Sequence, residues 1–347
     1  MSAVNDPIDL KLLELMQAAV PVCPHPFAEL ARRAGTEEAD ALARVQRLKD
    51  ARVIRQISAI FDTRSLGYAS SLVAARVDPA RVDEAAAIIN RHPGVSHNYL
   101  RNHAFNLWFT IAVAPASALG LEKTVAILQR ESGAESMRLL PTLKLYKIGV
   151  QFDLAGASKA DDTESPQYTE QHRAARAPLT PAEIEFVRLL QRDLPVTPDP
   201  FAGYARDLGV SLEFLQDMVR RFTEDGRLRR FAAVLHHRNV GFSANAMGVW
   251  RVAGDDAAID RAGELMGGLR AVSHCYRRPS YPDWPYNIFT MVHGKSVADC
   301  EQTLRAISEK TGIADYSALY SSKEYKKVRV NYFTPEEQAW EREHANA

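Results

Sequence analysis

The sequence predicts an α+β fold made by tandem duplication. Each copy is a winged helix-turn-helix followed by a ferredoxin-like βαββαβ domain, and the two copies form a pseudo-dimer. Three observations predict this: an ordered internal repeat, a run of three short amphipathic helices and a strand at the head of each copy, and a strand–helix–strand–strand–helix–strand order in the remainder.

The repeat comes first, because missing it would misread the whole chain. Pro21 to Ala28 reads P-V-C-P-H-P-F-A, and Pro195 to Ala202 reads P-V-T-P-D-P-F-A, an offset of 174 (195 against 21). The same offset holds at Ala31/Ala205, Arg32/Arg206, Gly35/Gly209, Arg55/Arg229 and Gly67/Gly241. Val95-Ser96-His97-Asn98-Tyr99 then matches Val272-Ser273-His274-Cys275-Tyr276 at offset 177 (272 against 95). Asn106 matches Asn287 at offset 181, and Tyr146-Lys147 matches Tyr325-Lys326 at offset 179. Convergent helix patterns would repeat Leu and Ala, not Pro, His, Tyr and Gly in this order.

The helices at the head of each copy have readable ends. Thr180-Pro181-Ala182-Glu183 is a capping box with proline in the first turn, and Asp6-Pro7-Ile8-Asp9 opens the first copy in a similar way. Apolar residues follow at Leu10, Leu13, Leu15 and Met16, and at Ile184, Val187, Leu189 and Leu190, until Pro21 and Pro195 stop the helices. A second helix runs from near Phe27 or Phe201 to Gly35 or Gly209. A third covers Glu37 to Asp50, or Leu212 to Glu224, before strands at Val53–Ile60 and Leu228–Leu235.

In the remainder of copy one, strands are expected at 72–77, 95–101, 106–113 and 138–148, with helices at 81–91 and 117–131. Copy two repeats them at 244–252, 272–278, 286–293 and 315–328, with helices at 256–267 and 297–310. The domains expected are winged helices at 1–66 and 179–240 and ferredoxin-like domains at 67–150 and 241–335. The segment 151–178, rich in Ala, Ser, Asp, Glu, Thr and Gln, has no counterpart and reads as a linker, and 336–347 reads as a tail. Ferredoxin-like sheets leave one face needing cover, so the two copies are expected to stack sheet to sheet.

Composition narrows the function classes. With 46% hydrophobic and 25% charged residues over 347 positions, the chain is an ordinary globular one. No run of about 18 apolar residues suggests a membrane span. The N-terminus lacks a secretory pattern, and the scattered Cys23, Cys275 and Cys300 suit a reducing cytoplasm. Lys and Arg number 43 against 43 Asp and Glu, so no broad field draws the chain to nucleic acid or acidic membrane. The stretches from each third helix into the strand after it repeat this balance. Arg44, Arg47, Lys49, Arg52 and Arg55 face Glu37, Glu38, Asp40 and Asp50; Arg220, Arg221, Arg227, Arg229 and Arg230 face Glu213, Asp217, Glu224 and Asp225. Duplex binders show a basic stripe, so DNA binding is not expected.

The chemistry is expected on the middle strands. Copy one carries H-N-Y-L-R-N-H-A-F-N-L-W-F over 97–109, and copy two carries H-C-Y-R-R-P-S-Y-P-D-W-P-Y-N over 274–287. Residues i and i+2 of a strand share a face. His97, Tyr99 and Arg101 therefore point one way, as do His274, Tyr276 and Arg278, while Arg277 points the other way unless a bulge re-aims it. Each row offers an imidazole, a phenol and a guanidinium that forks onto carboxylates. The loop Tyr281-Pro282-Asp283-Trp284-Pro285-Tyr286 is rigid and aromatic and suits a large flat ligand. A second basic row lies on the last strands, where Lys144 shares a face with Tyr146 and Lys323 with Tyr325; it reads equally well as a solvated edge. His25, His92, His172, His236, His237 and His344 have no evident partners, and His293 reads as a strand-end residue. No Walker, zincin, nucleophile-elbow or dinucleotide motif is present.

Together these elements resemble the Lrp/AsnC regulators in architecture. The segments 97–109 and 274–290, above all S-H-C-Y-R-R-P-x-x-P-D-W-P-Y-N, resemble the siroheme decarboxylases, a family that includes heme d1 biosynthesis proteins and the related pair of the alternative heme pathway. The resemblance covers nearly the whole chain apart from the linker and matches a fused two-subunit form. It implies loss of the C12 and C18 acetate carboxyls of siroheme, giving 12,18-didecarboxysiroheme. It implies no cofactor beyond the substrate's own iron, and no metal held by the protein itself. His97, His103 or His274 would supply the proton or ligate that iron. Arg101, Arg277, Arg278, Lys144 and Lys323 would orient carboxylates, and Tyr99, Asn106, Trp108, Tyr146, Tyr276, Tyr281, Trp284, Tyr286, Asn287 and Tyr325 would line the substrate. Siroheme is the expected partner, with other heme d1 biosynthesis proteins and further copies of the chain as candidates. The alternative expectation is an Lrp/AsnC-type regulator that senses heme or another tetrapyrrole.

Overall fold

The computed structural model describes residues 6–148, 177–235 and 244–344. The expected linker, except for 177 and 178, lies outside the described residues, as do His172, His236, His237 and Gly241. Copy one comprises α1 (Pro7–Ala18), α2 (Pro26–Ala34), α3 (Glu38–Asp50), β1 (Ile54–Phe61), β2 (Ala69–Arg76), α4 (Val82–Asn90), β3 (Val95–Arg101), β4 (Leu107–Val113), α5 (Gly120–Ser132), β5 (Ser136–Leu140) and β6 (Lys144–Ile148). Copy two comprises α6 (Pro181–Leu190), α7 (Pro200–Leu208), α8 (Leu212–Glu224), β7 (Leu228–Leu235), β8 (Ala244–Trp250), α9 (Asp256–Gly267), β9 (Val272–Arg277), β10 (Ile288–Gly294), α10 (Val297–Thr311), β11 (Tyr316–Leu319), β12 (Ser321–Lys327) and α11 (Pro335–His344). Among the described residues no helix is long and apolar enough to cross a membrane.

The chain divides into two compact units, and the division does not follow the copies. One unit gathers the described residues up to 68 with 177–235 and 331–335; the other takes 69–148, 244–330 and 336–344.

In the first unit the caps form as the sequence requires. The Asp6 carboxylate accepts from the N–H of Ile8 at 2.8 Å, Thr180 and Glu183 make the reciprocal capping box, and Gly35 and Gly209 end α2 and α7 at φ 78° and 68°. Each wing strand finds its partner in the other copy: β1 pairs antiparallel with β7, Ile57 opposite Ala233. Most of the basic residues in the third helices and the segments after them are tied down. Arg44 meets Asp6, Asp9 and Asp40, Arg47 meets Asp9, Lys49 meets Asp193, Arg221 meets Glu183, and Arg229 meets the buried Asp62.

The second unit holds two five-stranded sheets, ordered β12-β3-β4-β2-β5 and β11-β8-β10-β9-β6. Four strands of each have the ferredoxin-like order, and the fifth comes from the other copy. This corrects the expectation of one continuous last strand in each copy. The strand expected at 138–148 breaks at 141–143, after which β6 leaves to pair with β9 of copy two. Pro141 has no N–H to give a ladder, so the break falls there. The strand expected at 315–328 breaks at Tyr320, and β12 pairs with β3 of copy one. Tyr320 N–H donates instead to the Asn102 side chain at 2.6 Å.

Three cores result. Helices α4 and α5 close one face of the first sheet over Val73, Ile89, Phe109, Ile111 and Leu128. Helices α9 and α10 close the second over Trp250, Met266, Val272, Cys275 and Leu304. Between the sheets lies a core shared by both copies: Ala74, Phe105, Trp108 and Leu140 with Met247, Val249, Trp284, Phe289 and Leu319. The expected tail is also corrected, because residues 335–344 form α11. Its Trp340 joins the α4–α5 core, where burying an indole outweighs the order it imposes on the chain end, and Glu341 accepts from Ser117 Oγ and Leu119 N–H at 2.8 Å each.

Candidate functional site

The site is built on the sheet faces opposite the helices. In β3, Asn98 turns to α4, where its amide donates to Asn90 Oδ1 at 3.0 Å, and Leu100 packs on the helix-side core. The alternation then sends His97, Tyr99 and Arg101 to the inner face. Their ladder partners are Thr110 for His97 and Trp108 for Tyr99, and Arg101 stands 5.8 Å from the Trp108 ring. In β9, Cys275 is buried toward α9, and His274 and Tyr276 face inward opposite Met291 and Phe289. Arg278 lies over the rings of Tyr276 and Phe289, at 5.0 and 5.4 Å. The ring pairs repeat closely: His97 and Tyr99 centroids are 6.2 Å apart, His274 and Tyr276 6.1 Å.

The two inner arginines share a second job. Arg101 donates to the carbonyl of Leu319 at 3.2 Å, and Arg278 to that of Leu140. Leu319 and Leu140 are the last residues before the chain crosses between sheets, so each guanidinium holds the other copy's crossover. Burial pulls the Arg101 guanidinium down to about 10.

The loops close over the shared core. Trp284 is fully buried, and its indole N–H meets no acceptor among the described residues. Around it stand Phe105 at 5.4 Å, Trp108 at 5.1 Å, Tyr286 at 5.0 Å and His103 at 5.3 Å between ring centroids. His103 Nδ1 accepts from Phe105 N–H at 3.0 Å, which leaves Nε2 as its protonated nitrogen when neutral. Burial, and then the nearby Arg76, lower the His103 pKa. Tyr281 donates to Leu139 O at 2.6 Å. Asp283 takes a forked pair from Arg138 at 2.8 and 2.9 Å, which holds its carboxyl below the usual range.

Several expected substrate residues contact helix acids or backbone groups. Arg277 turns to the helix side, as the alternation foretold, and pairs with Asp256 and Asp260 of α9. Lys144 reaches Asp260 at 2.9 Å and Glu264 at 3.3 Å, and Tyr146 also binds Asp260. Lys323 and Tyr325 meet Asp83 of α4 in the same manner. Lys147 donates to Leu269 O and Lys326 to Asn90 O, each just past or at a helix C-terminus, where a cation is favoured. The basic row on the last strands therefore fastens each exchanged strand to the other copy's helix. Asn106 clamps both backbone groups of Val77, at 3.1 and 2.8 Å, and Asn287 does the same to Val252 at 3.0 and 2.9 Å.

Sequence reasoning passed over the groups behind the inner histidines. Ser96 Oγ sits 3.0 Å from His97 Nδ1 and 2.7 Å from Thr110 Oγ1. Ser273 Oγ sits 3.1 Å from His274 Nδ1 and 2.8 Å from His293 Nε2, so His293 is more than a strand-end residue. Burial first, and then His293, lower the His274 pKa. The signal for the serines was the Val-Ser-His repeat itself. The helix acids Asp83 and Asp260, also passed over, stand at the offset of that repeat, 177 (260 against 83).

These features define a class: two fused copies of a winged helix and an AsnC-type ligand-binding domain, carrying imidazoles and aromatic rings on the faces between the sheets. Comparison with known proteins agrees. The model described as AsnC-like ligand binding domain matches residues 65–147 and 239–326, and that described as siroheme decarboxylase NirDL-like HTH domain matches 9–55 and 183–229. The chain is 38% identical to the siroheme decarboxylase of Hydrogenobacter thermophilus, over 96% of this chain and 97% of that one. A stretch of 148 residues, 43% of this chain, is 45% identical to the siroheme decarboxylase beta subunit of Methanosarcina barkeri and covers 96% of that subunit. The crystal structure of the siroheme decarboxylase NirDL in co-complex with an iron-uroporphyrin III analogue superposes with a TM-score of 0.77 at 33% identity, covering 98% of this chain and 99% of that one. The chain belongs to the siroheme decarboxylase family.

Proposed function

We propose that this chain decarboxylates siroheme, converting the C12 and C18 acetates to methyls and releasing carbon dioxide without oxidation. The observation that carries the reading is the end-to-end likeness to a siroheme decarboxylase, 38% identical across 96% of this chain, covering both copies. The likeness to a solved relative that holds an iron-uroporphyrin analogue supports a tetrapyrrole as ligand. The reaction needs no cofactor beyond the iron of the substrate.

The chemistry asks for little. The bond from the acetate methylene to its carboxyl breaks, the electron pair stays on the methylene carbon, and a proton arrives there to complete the methyl. An apolar, closed environment favours the loss by stripping water from the carboxylate. The inner faces supply aromatic walls at Trp108, Trp284, Tyr276 and Phe289 and imidazoles at His97, His274 and His103 as proton donor or iron ligand. Arg101 and Arg278, which also hold the crossover carbonyls, are inner-face cations suited to carboxylates, whereas Arg277, Lys144 and Lys323 pair with helix acids. The ion-paired third helices speak against duplex binding, since phosphate contacts need free cations.

The test is anaerobic incubation of the purified full chain with reduced siroheme, read by mass spectrometry. A product lighter by two carbon dioxides is expected, and recovery of unchanged siroheme overturns the reading.

A further inference from the structure

The two copies present the same Ser-His pair on the same strand, yet they back it differently. Ladder register puts Thr110 opposite His97 and Met291 opposite His274, and the offset of 181 that relates Asn106 to Asn287 also relates Thr110 to Met291 and Ala112 to His293. Copy two thus has a second imidazole where copy one has a methyl group.

The consequence follows from counting hydrogens. A serine hydroxyl has one hydrogen to give and two lone pairs to receive with. Ser273 Oγ donates to the carbonyl of Met291 at 3.1 Å, and a carbonyl oxygen can only accept. Its one hydrogen is spent there. The two remaining contacts, His274 Nδ1 at 3.1 Å and His293 Nε2 at 2.8 Å, must then be donated by the rings. Neutral His274 therefore carries its proton on Nδ1 and a lone pair on Nε2. In copy one, Ser96 Oγ meets Thr110 Oγ1 at 2.7 Å and His97 Nδ1 at 3.0 Å, and among the described residues neither hydroxyl meets a carbonyl. The hydrogens of these three groups can run in either direction, so these contacts hold neutral His97 to neither tautomer.

We infer that Ser273 and His293 are positioning residues that fix His274 as the Nδ1–H tautomer, so that His274 offers its Nε2 lone pair to the iron of the substrate. The inference rests on the siroheme reading for the identity of the iron, but not for the tautomer. It agrees with the general habit of imidazole ligands, which donate their second N–H to an oxygen that orients the ring.

The tautomer is measured on the full-length protein without substrate, by long-range proton–nitrogen correlation on a uniformly nitrogen-15-labelled sample. The His274 signals are assigned by their loss in His274→Gln. A protonated Nδ1 and a bare Nε2 are expected, shifting toward a mixture in Ser273→Ala. An Nε2–H ring in the wild type, or a tautomer unmoved by Ser273→Ala, overturns the positioning role. The ligand role is read from the absorption spectrum of ferric siroheme bound to the protein. A low-spin, imidazole-type spectrum lost in His274→Gln but kept in His97→Gln is expected, with siroheme affinity falling about tenfold or more in Ser273→Ala. A spectrum unchanged by His274→Gln overturns that role. A chain that binds siroheme with these signatures but releases no carbon dioxide refutes the proposed activity and leaves the inference standing.

Discussion

The phenol of Tyr146, on the strand that leaves copy one, donates to Asp260 Oδ1 at 2.5 Å on α9 of copy two. Lys144 and Arg277 converge on the same carboxylate, at 2.9 and 3.2 Å. One acid thus gathers two residues of the arriving strand and one of the strand it pairs with, and the exchange of strands hangs on it.

Asp260→Ala is expected to destabilise the protein by about 2 kcal/mol, the scale of losing charge-assisted hydrogen bonds at a partly buried site. Asp83→Ala, on the more exposed equivalent in copy one, is expected to cost less. Urea denaturation followed by circular dichroism compares them. Equal costs, or none for Asp260, would remove the anchoring role.

The same carboxylate sets a pH dependence. Its three donors hold the Asp260 pKa down to about 2, below the ordinary value near 3.8. A depressed folded pKa stabilises at pH above the unfolded value, and the contribution fades as pH falls toward the folded one. The stability difference between wild type and Asp260→Asn, which cannot titrate, is expected to be full at pH 5 and to shrink steadily from about pH 4 to pH 2. A difference flat across that window contradicts the assignment.

Gly263 lies on α9 beneath the same tyrosine. A Cβ there would sit 2.2 Å from a Tyr146 ring carbon and 2.3 Å from the next. Alanine favours helix by about 1 kcal/mol over glycine, but overpacking of this kind costs more, so Gly263→Ala is expected to lose about 2 kcal/mol net. In a Tyr146→Ala background the same change is expected to be neutral or stabilising. Thermal melting of the four proteins in that cycle decides it, and an unchanged cost in the Tyr146→Ala background would mean that the tyrosine is not what the glycine accommodates.

Trp284 separates shape from hydrogen bonding. Its ring is fully buried while its N–H meets no acceptor among the described residues. Trp284→Phe is expected to cost about 1 kcal/mol or less, and Trp284→Ala about 3–5 kcal/mol through the cavity left in the shared core. If phenylalanine proves as damaging as alanine under chemical denaturation, the indole N–H has a structural partner after all.

Much of the site was legible from spacing. The two-residue period of a strand put His97, Tyr99 and Arg101 on one face, with His274, Tyr276 and Arg278 on another, and sent Arg277 away from them. The family resemblance places Asn106, Asn287, Lys144 and Lys323 among the residues that line or orient the substrate. Their partners are a backbone segment or a helix acid far along the chain, and no local pattern announces such a partner. The serine, threonine and second histidine behind the imidazoles went unread for the same reason, since Thr110 and His293 reach them across a ladder.

The sequence by itself determined the duplication, the capped helices, the order of strands and the direction in which the middle strands present their rings. Those follow from local periodicity and from Pro, Gly and capping residues, whose effects act within a few positions. Only the tertiary structure decided that the last strand of each copy belongs to the other copy's sheet, that β1 and β7 pair with each other, and that the basic row reaches acids on the other copy's helices. Strand pairing joins residues more than a hundred positions apart, and a strand that would sit well in either sheet carries no local mark of which one it joins.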